Sequence, residues 1–317
     1  FKGEPHLRTQ DAAPDLYKAL IKAKPSILAK PELDDGTEIL AFYATNRGSE
    51  IMLGSYAPIT QKLRLESTTP VAARAWLAEH GLVQKHDFPH YDLVFDPRQD
   101  IQYVPGALEI NTYTPTKFMI RTAKSKLPST LSDIPPITAK TLRSAMGDAT
   151  DTVMVRFMNW LAYIFQTKSK TETAWVWHGV EGTGKSAFVR YIMAPIFGAE
   201  YVRIIQFHLA ESAFTGWLEK SLFVVFEEAD MKGSALPESL EAKLRHWITD
   251  SPLEINEKGV KPFSAPNFTN FLFFSNKQTP VKLTRGDRRF NIAERQTKKL
   301  HYTPNETIGG VEFQEIP

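Results

Sequence analysis

AWVWHGVEGTGKS, residues 174–186, decides the fold of this chain. Trp175, Val176 and Trp177 read as a short buried strand that feeds into Gly179, four further residues, then Gly184, Lys185 and Ser186. That is a complete G-x-x-x-x-G-K-[ST] phosphate loop. Glycines let successive backbone N–H groups curl around phosphate oxygens, a lysine reaches the β and γ phosphates, and a hydroxyl in the last position can hold Mg²⁺. The run SAFVRYIMAPIF (186–197) is expected to open a helix whose positive end faces the same anion. Gly179, Glu181, Gly182, Thr183, Gly184, Lys185 and Ser186 are therefore the expected nucleotide-binding residues, against the alternative of an ordinary glycine turn.

The whole chain sets bounds around that stretch. With 317 residues, two domains are expected. A hydrophobic share of 42% and a charged share of 23% are those of a globular protein, and no apolar run or signal-peptide pattern points to a membrane. The absence of cysteine excludes disulfides and thiolate metal sites and fits a reducing cytoplasm. A net charge of +2 is almost neutral, so nucleic acid would have to be met by a local cluster of Lys and Arg. The start at Phe1 suggests a piece of a longer polypeptide, whose missing N-terminal domain would carry further activity.

Taken in order, residues 1–120 read as an α+β accessory domain. A helix is expected over Ala13–Lys24, strands over EILAFYAT and SEIMLGSY around a turn at Asn46-Arg47-Gly48, a helix from Pro70 to a stop at Gly81, and short strands from Tyr91 to Pro115. His86 and His90 have no carboxylate at ligand spacing and read as surface histidines. Residues 121–137, rich in Lys, Ser and Pro, read as a linker. A helical subdomain follows over 138–170, apolar enough to bury two sides.

Residues 171–300 alternate as an α/β domain with a central parallel sheet should, ahead of a polar tail over 301–317. SLFVVFEEAD (221–230) is a continuous apolar strand that delivers Glu227 and Glu228 to the sheet's C-terminal edge. There Glu227 is placed to hold Mg²⁺ and Glu228 to orient and deprotonate an attacking water, or the pair is simply a solvated turn. FTNFLFFSN (268–276) ends a third buried strand on Asn276, whose amide can bond both a γ phosphate and a water, although Asn is also an ordinary turn residue.

With SNKQTPVKLTRGDRRFNI (275–292) added, the order of phosphate loop, acidic pair, helix and hairpin, then Ser-Asn strand end and Arg-Phe resembles the superfamily 3 helicases, the AAA+ ATPases of DNA viruses, phages and plasmids. The upstream block is similar to what precedes the core in phage and plasmid primase-helicases and primase-polymerases. The resemblance spans about 138–294 and implies ATP, Mg²⁺, single-stranded DNA, a hexameric ring and a fused or associated primase or polymerase domain. It matches Lys185 and Ser186 to the Walker A lysine and hydroxyl, Glu227 and Glu228 to the Walker B acids, and Asn276 to the polar sensor. Glu227 departs from the Asp of many relatives. Arg289, with Arg288 as rival, matches an arginine finger supplied to the neighbouring subunit, and Arg245 is a weaker match to a second such arginine; a surface ion pair is the alternative for each. The turn Glu257-Lys258-Gly259-Val260-Lys261 corresponds to a hairpin that projects into the ring channel, with Lys258 and Lys261 as DNA contacts. Phe263 is expected to pack inside that hairpin in preference to stacking on a base.

The resulting expectation is an ATP-driven DNA helicase acting in phage or plasmid replication. Two competitors stand beside it: an ATP-binding scaffold that tethers a polymerase or primase without efficient unwinding, and a small-molecule kinase with a substrate lid and no basic hairpin.

Overall fold

Every apolar residue of the AWVWH run is buried, and the alternation of its side chains explains the layers of the domain around it. The computed structural model describes residues 37–47, 50–57, 62–82, 87–99, 108–120, 130–230, 238–259, 261–278, 287–301, 307–308 and 311–312. The expected helix over Ala13–Lys24 and His86 lie outside the described residues. The chain divides into two compact units between Thr114 and Pro115.

In the first unit, strands β1 (Glu38–Ala44), β2 (Glu50–Ala57), β3 (Lys62–Thr68), β4 (His90–Val94) and β5 (Glu109–Asn111) form one sheet in the order β3-β2-β1-β4-β5. β1 and β2 form an antiparallel hairpin in which Ala44 pairs with Glu50; of the expected turn, Asn46 and Arg47 lie in a 3₁₀ turn over Thr45–Arg47, and Gly48 lies outside the described residues. Period-two alternation sends Ile39, Ala41 and Ile51 to one face, where helix α1 (Pro70–Glu79) covers them with Ala73 and Leu77. The opposite face gathers Leu40, Phe42, Met52, Tyr56, Tyr91 and Leu93. Thr69 caps α1 by accepting the Ala72 N–H at 3.2 Å, and Pro70 opens it. His90 stacks on Tyr43.

The second unit begins with the short α2 (Lys117–Ile120), so the break falls before the stretch first read as linker. Of that stretch, residues 130–137 hold a 3₁₀ turn at Leu131–Asp133 and the start of a helix. The helical subdomain is two helices, α3 (Pro136–Ala145) and α4 (Asp151–Thr167), separated at Gly147. α4 buries Met154, Phe157, Trp160, Leu161 and Ile164 on one side only; Val155 and Tyr163 are 43% and 49% exposed, so burial on two sides is not observed.

Five parallel strands follow: β6 (Ala174–His178), β7 (Val202–Gln206), β8 (Phe223–Glu227), β11 (Asn270–Ser275) and β12 (Phe290–Ile292), in the order β12-β6-β11-β8-β7. Trp175 and Trp177 face α4, where Phe157 meets both rings edge-on at 5.2 and 5.1 Å. Ala174, Val176, Phe226, Phe271 and Phe273 face the other way and meet Leu240, Leu244, Trp247 and Ile248 of α7 (Glu238–Thr249). Burying each such aromatic contributes about 1.5–3 kcal/mol. Between β6 and β7 runs one helical segment, α5 (Lys185–Phe188), a π turn over Val189–Met193, and α6 (Ala194–Phe197). Pro195 has no N–H for the Tyr191 carbonyl and its ring would strike it, which accounts for the widened turn. The hairpin β9 (Leu253–Ile255) and β10 (Phe263–Ala265) lies between α7 and β11. A two-residue pair, β13 (Thr307–Ile308) with β14 (Val311–Glu312), falls in the segment read as a polar tail.

Candidate functional site

The phosphate loop leaves the C-terminal end of β6, and Gly182 and Gly184 turn it with φ of 71° and 89°. Lys185 is buried, and its ammonium is folded back into the loop, donating to Val180 O at 3.0 Å, Thr183 Oγ1 at 3.3 Å and Gln296 Oε1 at 3.0 Å. Burial pulls its pKa from 10.5 down to about 8, with the Glu181 charge acting the other way.

β11 lies between β6 and β8 and is parallel to both, so the ends of all three strands share one edge. The Ser186 hydroxyl donates to Glu227 Oε1 at 2.6 Å, and Gln206 Nε2 approaches the other carboxylate oxygen at 3.5 Å. Two hard oxygen donors in contact suit Mg²⁺, while among the described residues no three His, Cys, Asp or Glu side chains gather as a self-sufficient metal site. Glu228 is exposed with φ of 58°, a left-handed backbone that a non-glycine residue adopts at a cost and that is enriched at working sites. Asn276 Nδ2 donates to Glu181 Oε1 at 3.3 Å, closing the far side. Together Glu181–Ala187, Glu227, Glu228, Phe274 and Asn276 line a cavity of about 430 Å³.

The three arginines lie elsewhere. Phe290 pairs with Ala174, the first residue of β6, so Arg288 and Arg289 sit at the sheet edge opposite the phosphate loop. Five residues of strand separate the two edges by roughly 17 Å at ~3.3 Å per residue. Asp287, its side chain 2% exposed, accepts from the Arg289 backbone at 3.0 Å and pairs with Arg289 Nη1 at 3.5 Å and Arg245 Nη2 at 3.7 Å. Arg245 also meets Glu241 at 2.6 Å, one helical turn away. Arg288 is exposed. Lys258 and Lys261 are exposed at the turn of the β9–β10 hairpin, whose base is fixed by Leu253 and Ile255 in the core and by Thr215, which bonds Glu254 and Asn256. Phe263 packs against that core.

The chain is homologous to a phage primase-polymerase. It is 30% identical over 207 residues to the DNA primase-polymerase of Nitratiruptor phage NrS-1, covering 65% of this chain and 28% of that protein. Two apo structures of the NrS-1 C-terminal region align with TM-scores of 0.67 and 0.64 at 26% and 27% identity, covering 89% and 88% of this chain. This chain spans 61% and 60% of those two structures. Residues 177–289 match DUF5906, a family of unknown function.

That match takes in the loop, the acids, Asn276 and the arginine pair, and stops short of Gln296, which the motif reading missed. The backbone of β12 continues past its last residue alongside β6: Ala293 N–H bonds Val176 O at 3.0 Å, Gln296 N–H bonds His178 O at 2.8 Å, and Val180 N–H bonds Gln296 O at 3.0 Å. Leu300 N–H then reaches Gly182 O at 2.7 Å. A Cβ on Gly179 would lie 2.2 Å from Gln296 O, so glycine there admits this close strand as well as opening the loop. Nothing in QTKKLH marks the segment as functional by composition; the signal available was only its position after the last strand of the sheet.

Proposed function

We propose that this chain is an ATP-hydrolysing motor of a phage replication protein, with an AAA+ core of the superfamily 3 type that drives DNA unwinding. The observation that carries the reading is the Ser186–Glu227 contact beside a phosphate loop, with Asn276 brought to the same cavity at the end of the inserted strand β11. Hydrolysis of a phosphoanhydride asks chiefly for positioning and charge neutralisation. In this reading, loop amides and Lys185 bind the phosphates, Ser186 and Glu227 hold Mg²⁺, Glu228 orients and deprotonates the water, and Asn276 senses the γ phosphate. Mg²⁺ supplies charge neutralisation on the phosphate oxygens when bound.

Arg289 cannot serve the loop of its own chain, since it lies at the other end of the sheet. An arginine finger from this position has to act on a neighbour, which supports a ring, and by resemblance a hexamer. The homology to a primase-polymerase supports a setting in phage DNA replication and single-stranded DNA as the track. The exposed Lys258 and Lys261 are the proposed contacts to that strand, through phosphates and so without sequence preference.

The test is DNA-stimulated ATPase activity and strand displacement, measured for the wild type and for Lys185→Ala. Both activities are expected in the wild type and neither in the variant. ATP hydrolysis without strand displacement at any protein concentration would leave the tethering scaffold as the better account.

A further inference from the structure

Gln296 is 1% exposed and has its side-chain amide between two elements of the second unit. On one side its Nε2 donates to Ala145 O, the last residue of α3; on the other its Oε1 accepts from Lys185 Nζ. The orientation is forced, because a carbonyl only accepts and an ammonium only donates. The residue is held by its backbone as well, paired on both sides of Gly179. Two residues earlier, Glu294 O would lie 2.2 Å from a Cβ on Gly147, so the chain is seated closely against the turn between α3 and α4.

The three protons of Lys185 are all engaged, by Val180 O, Thr183 Oγ1 and Gln296 Oε1. A phosphate can be met only if at least one of these bonds is given up. Val180 and Thr183 belong to the loop itself. Gln296 belongs to a different segment, and its amide oxygen, once abandoned, is a buried acceptor without a partner until that segment or α3 shifts.

We propose that Gln296 is a positioning residue for the phosphate-loop lysine: it retracts Lys185 while the loop is empty of nucleoside triphosphate and, through Ala145, couples loop occupancy to helix α3. This rests on the reading of the loop as a nucleotide site. It assigns a conformational consequence of binding to α3, which lies outside the motif that binds.

The experiment measures the Kd of a fluorescent ATP analogue for the full chain as wild type, Gln296→Leu and Gln296→Glu, with thermal melting of each as a check on folding. Removing the retracting acceptor in Gln296→Leu is expected to tighten binding at least threefold. A carboxylate set against the ammonium in Gln296→Glu is expected to weaken it at least tenfold, and the deficit should shrink in Gln296→Glu/Lys185→Arg, where a longer arm can meet phosphate without leaving the acid. Hydrogen exchange of residues 136–145 should change on nucleotide addition in the wild type and not in Gln296→Leu. A purely structural role moves both single variants the same way, so weakening in both, or no change in either, overturns the proposal. Should the wild type and Lys185→Ala both fail to bind the analogue, the nucleotide reading itself is wrong and the proposal falls with it; binding by the wild type with the wrong pattern in the Gln296 variants refutes the proposal alone.

Discussion

Ser186 and Glu227 touch at 2.6 Å, hydroxyl to carboxylate, across 41 residues of chain. The contact ties the first turn after the phosphate loop to the end of the strand two places away in the sheet. Its geometry survives replacement of the acid by its amide, since a Gln oxygen still accepts from the hydroxyl. Glu227→Gln is therefore expected to change stability by no more than about 1 kcal/mol. Hydrolysis should nevertheless fall about 10²-fold or more, because the charge that would hold Mg²⁺ is gone. Single-turnover hydrolysis across a Mg²⁺ titration checks this; near-wild-type rates at every Mg²⁺ concentration would remove Glu227 from the site.

Lys185 gives the protein an alkaline signature. Its pKa is held near 8, with burial as the cause, whereas in the unfolded chain it titrates near its ordinary value of 10.5. Between those two values the unfolded chain binds more protons than the folded one, so stability rises with pH over that window. Below pH 8 the lysine is charged in both states and the desolvation cost stays in full. The gain is bounded by about 3 kcal/mol over the window. Lys170, which donates to Trp247 O and Asp250 O at the end of α7, is pushed down to about 8 as well, again by burial, and adds in the same direction. Urea midpoints at pH 7.5, 8.5 and 9.5 should climb for the wild type and climb less steeply for Lys185→Met. Equal slopes would mean that the lysine is solvated in the folded protein.

The parallel sheet was legible because its strands are spelled in apolar runs that end on the residues they deliver: WVW before the loop, FVVFEE on the acids, NFLFFSN on Asn276. Motif spacing placed their polar ends at one edge without any knowledge of strand order. The order itself was not legible, since an inserted strand such as β11 leaves no mark on β6 or β8. The break between α3 and α4 was hidden by continuous helical periodicity, although Gly147 stood at the point. Gln296 was invisible for a different reason. Its role comes from a backbone that runs beside β6 for several residues after the regular strand has ended, and no local pattern encodes where a departing chain next passes.

The β9–β10 hairpin offers a prediction in which folding and binding separate. Lys258 and Lys261 are exposed, and the base of the hairpin is held by Leu253 and Ile255, so truncating the lysines leaves its anchor intact. Lys258→Ala/Lys261→Ala is expected to keep its unfolding free energy within about 0.5 kcal/mol of the wild type. Loss of two phosphate contacts should flatten the dependence of log affinity for single-stranded DNA on log salt by about 1.4. Nucleotide affinity should not move. An unchanged salt slope would assign the lysines to solvent.

Asp287 makes the arginine assignments testable in one chain and then in two. Its buried carboxylate is shared by Arg245 and Arg289, whose Nε atoms are buried and have no partner among the described residues. Asp287→Ala removes the acid from two one-third-exposed guanidinium groups and from the Arg289 N–H, and is expected to cost about 2 kcal/mol, read from urea unfolding. Arg289→Ala, which leaves Asp287 its contact with Arg245 and its bond to the backbone of residue 289, is expected to lose no more than about 2 kcal/mol and to bind nucleotide normally while hydrolysing it at least 10²-fold more slowly. Arg289 lies at the sheet edge away from its own loop, so if it acts as a finger on a neighbouring copy, the defect is expected to be complemented between chains. Mixing Arg289→Ala with Lys185→Ala, each inactive alone, creates interfaces that pair an intact loop with an intact arginine, and a fraction of the ATPase activity should return. If the mixture stays as inactive as its components while both assemble with the wild type, Arg289 is a structural ion pair and no finger.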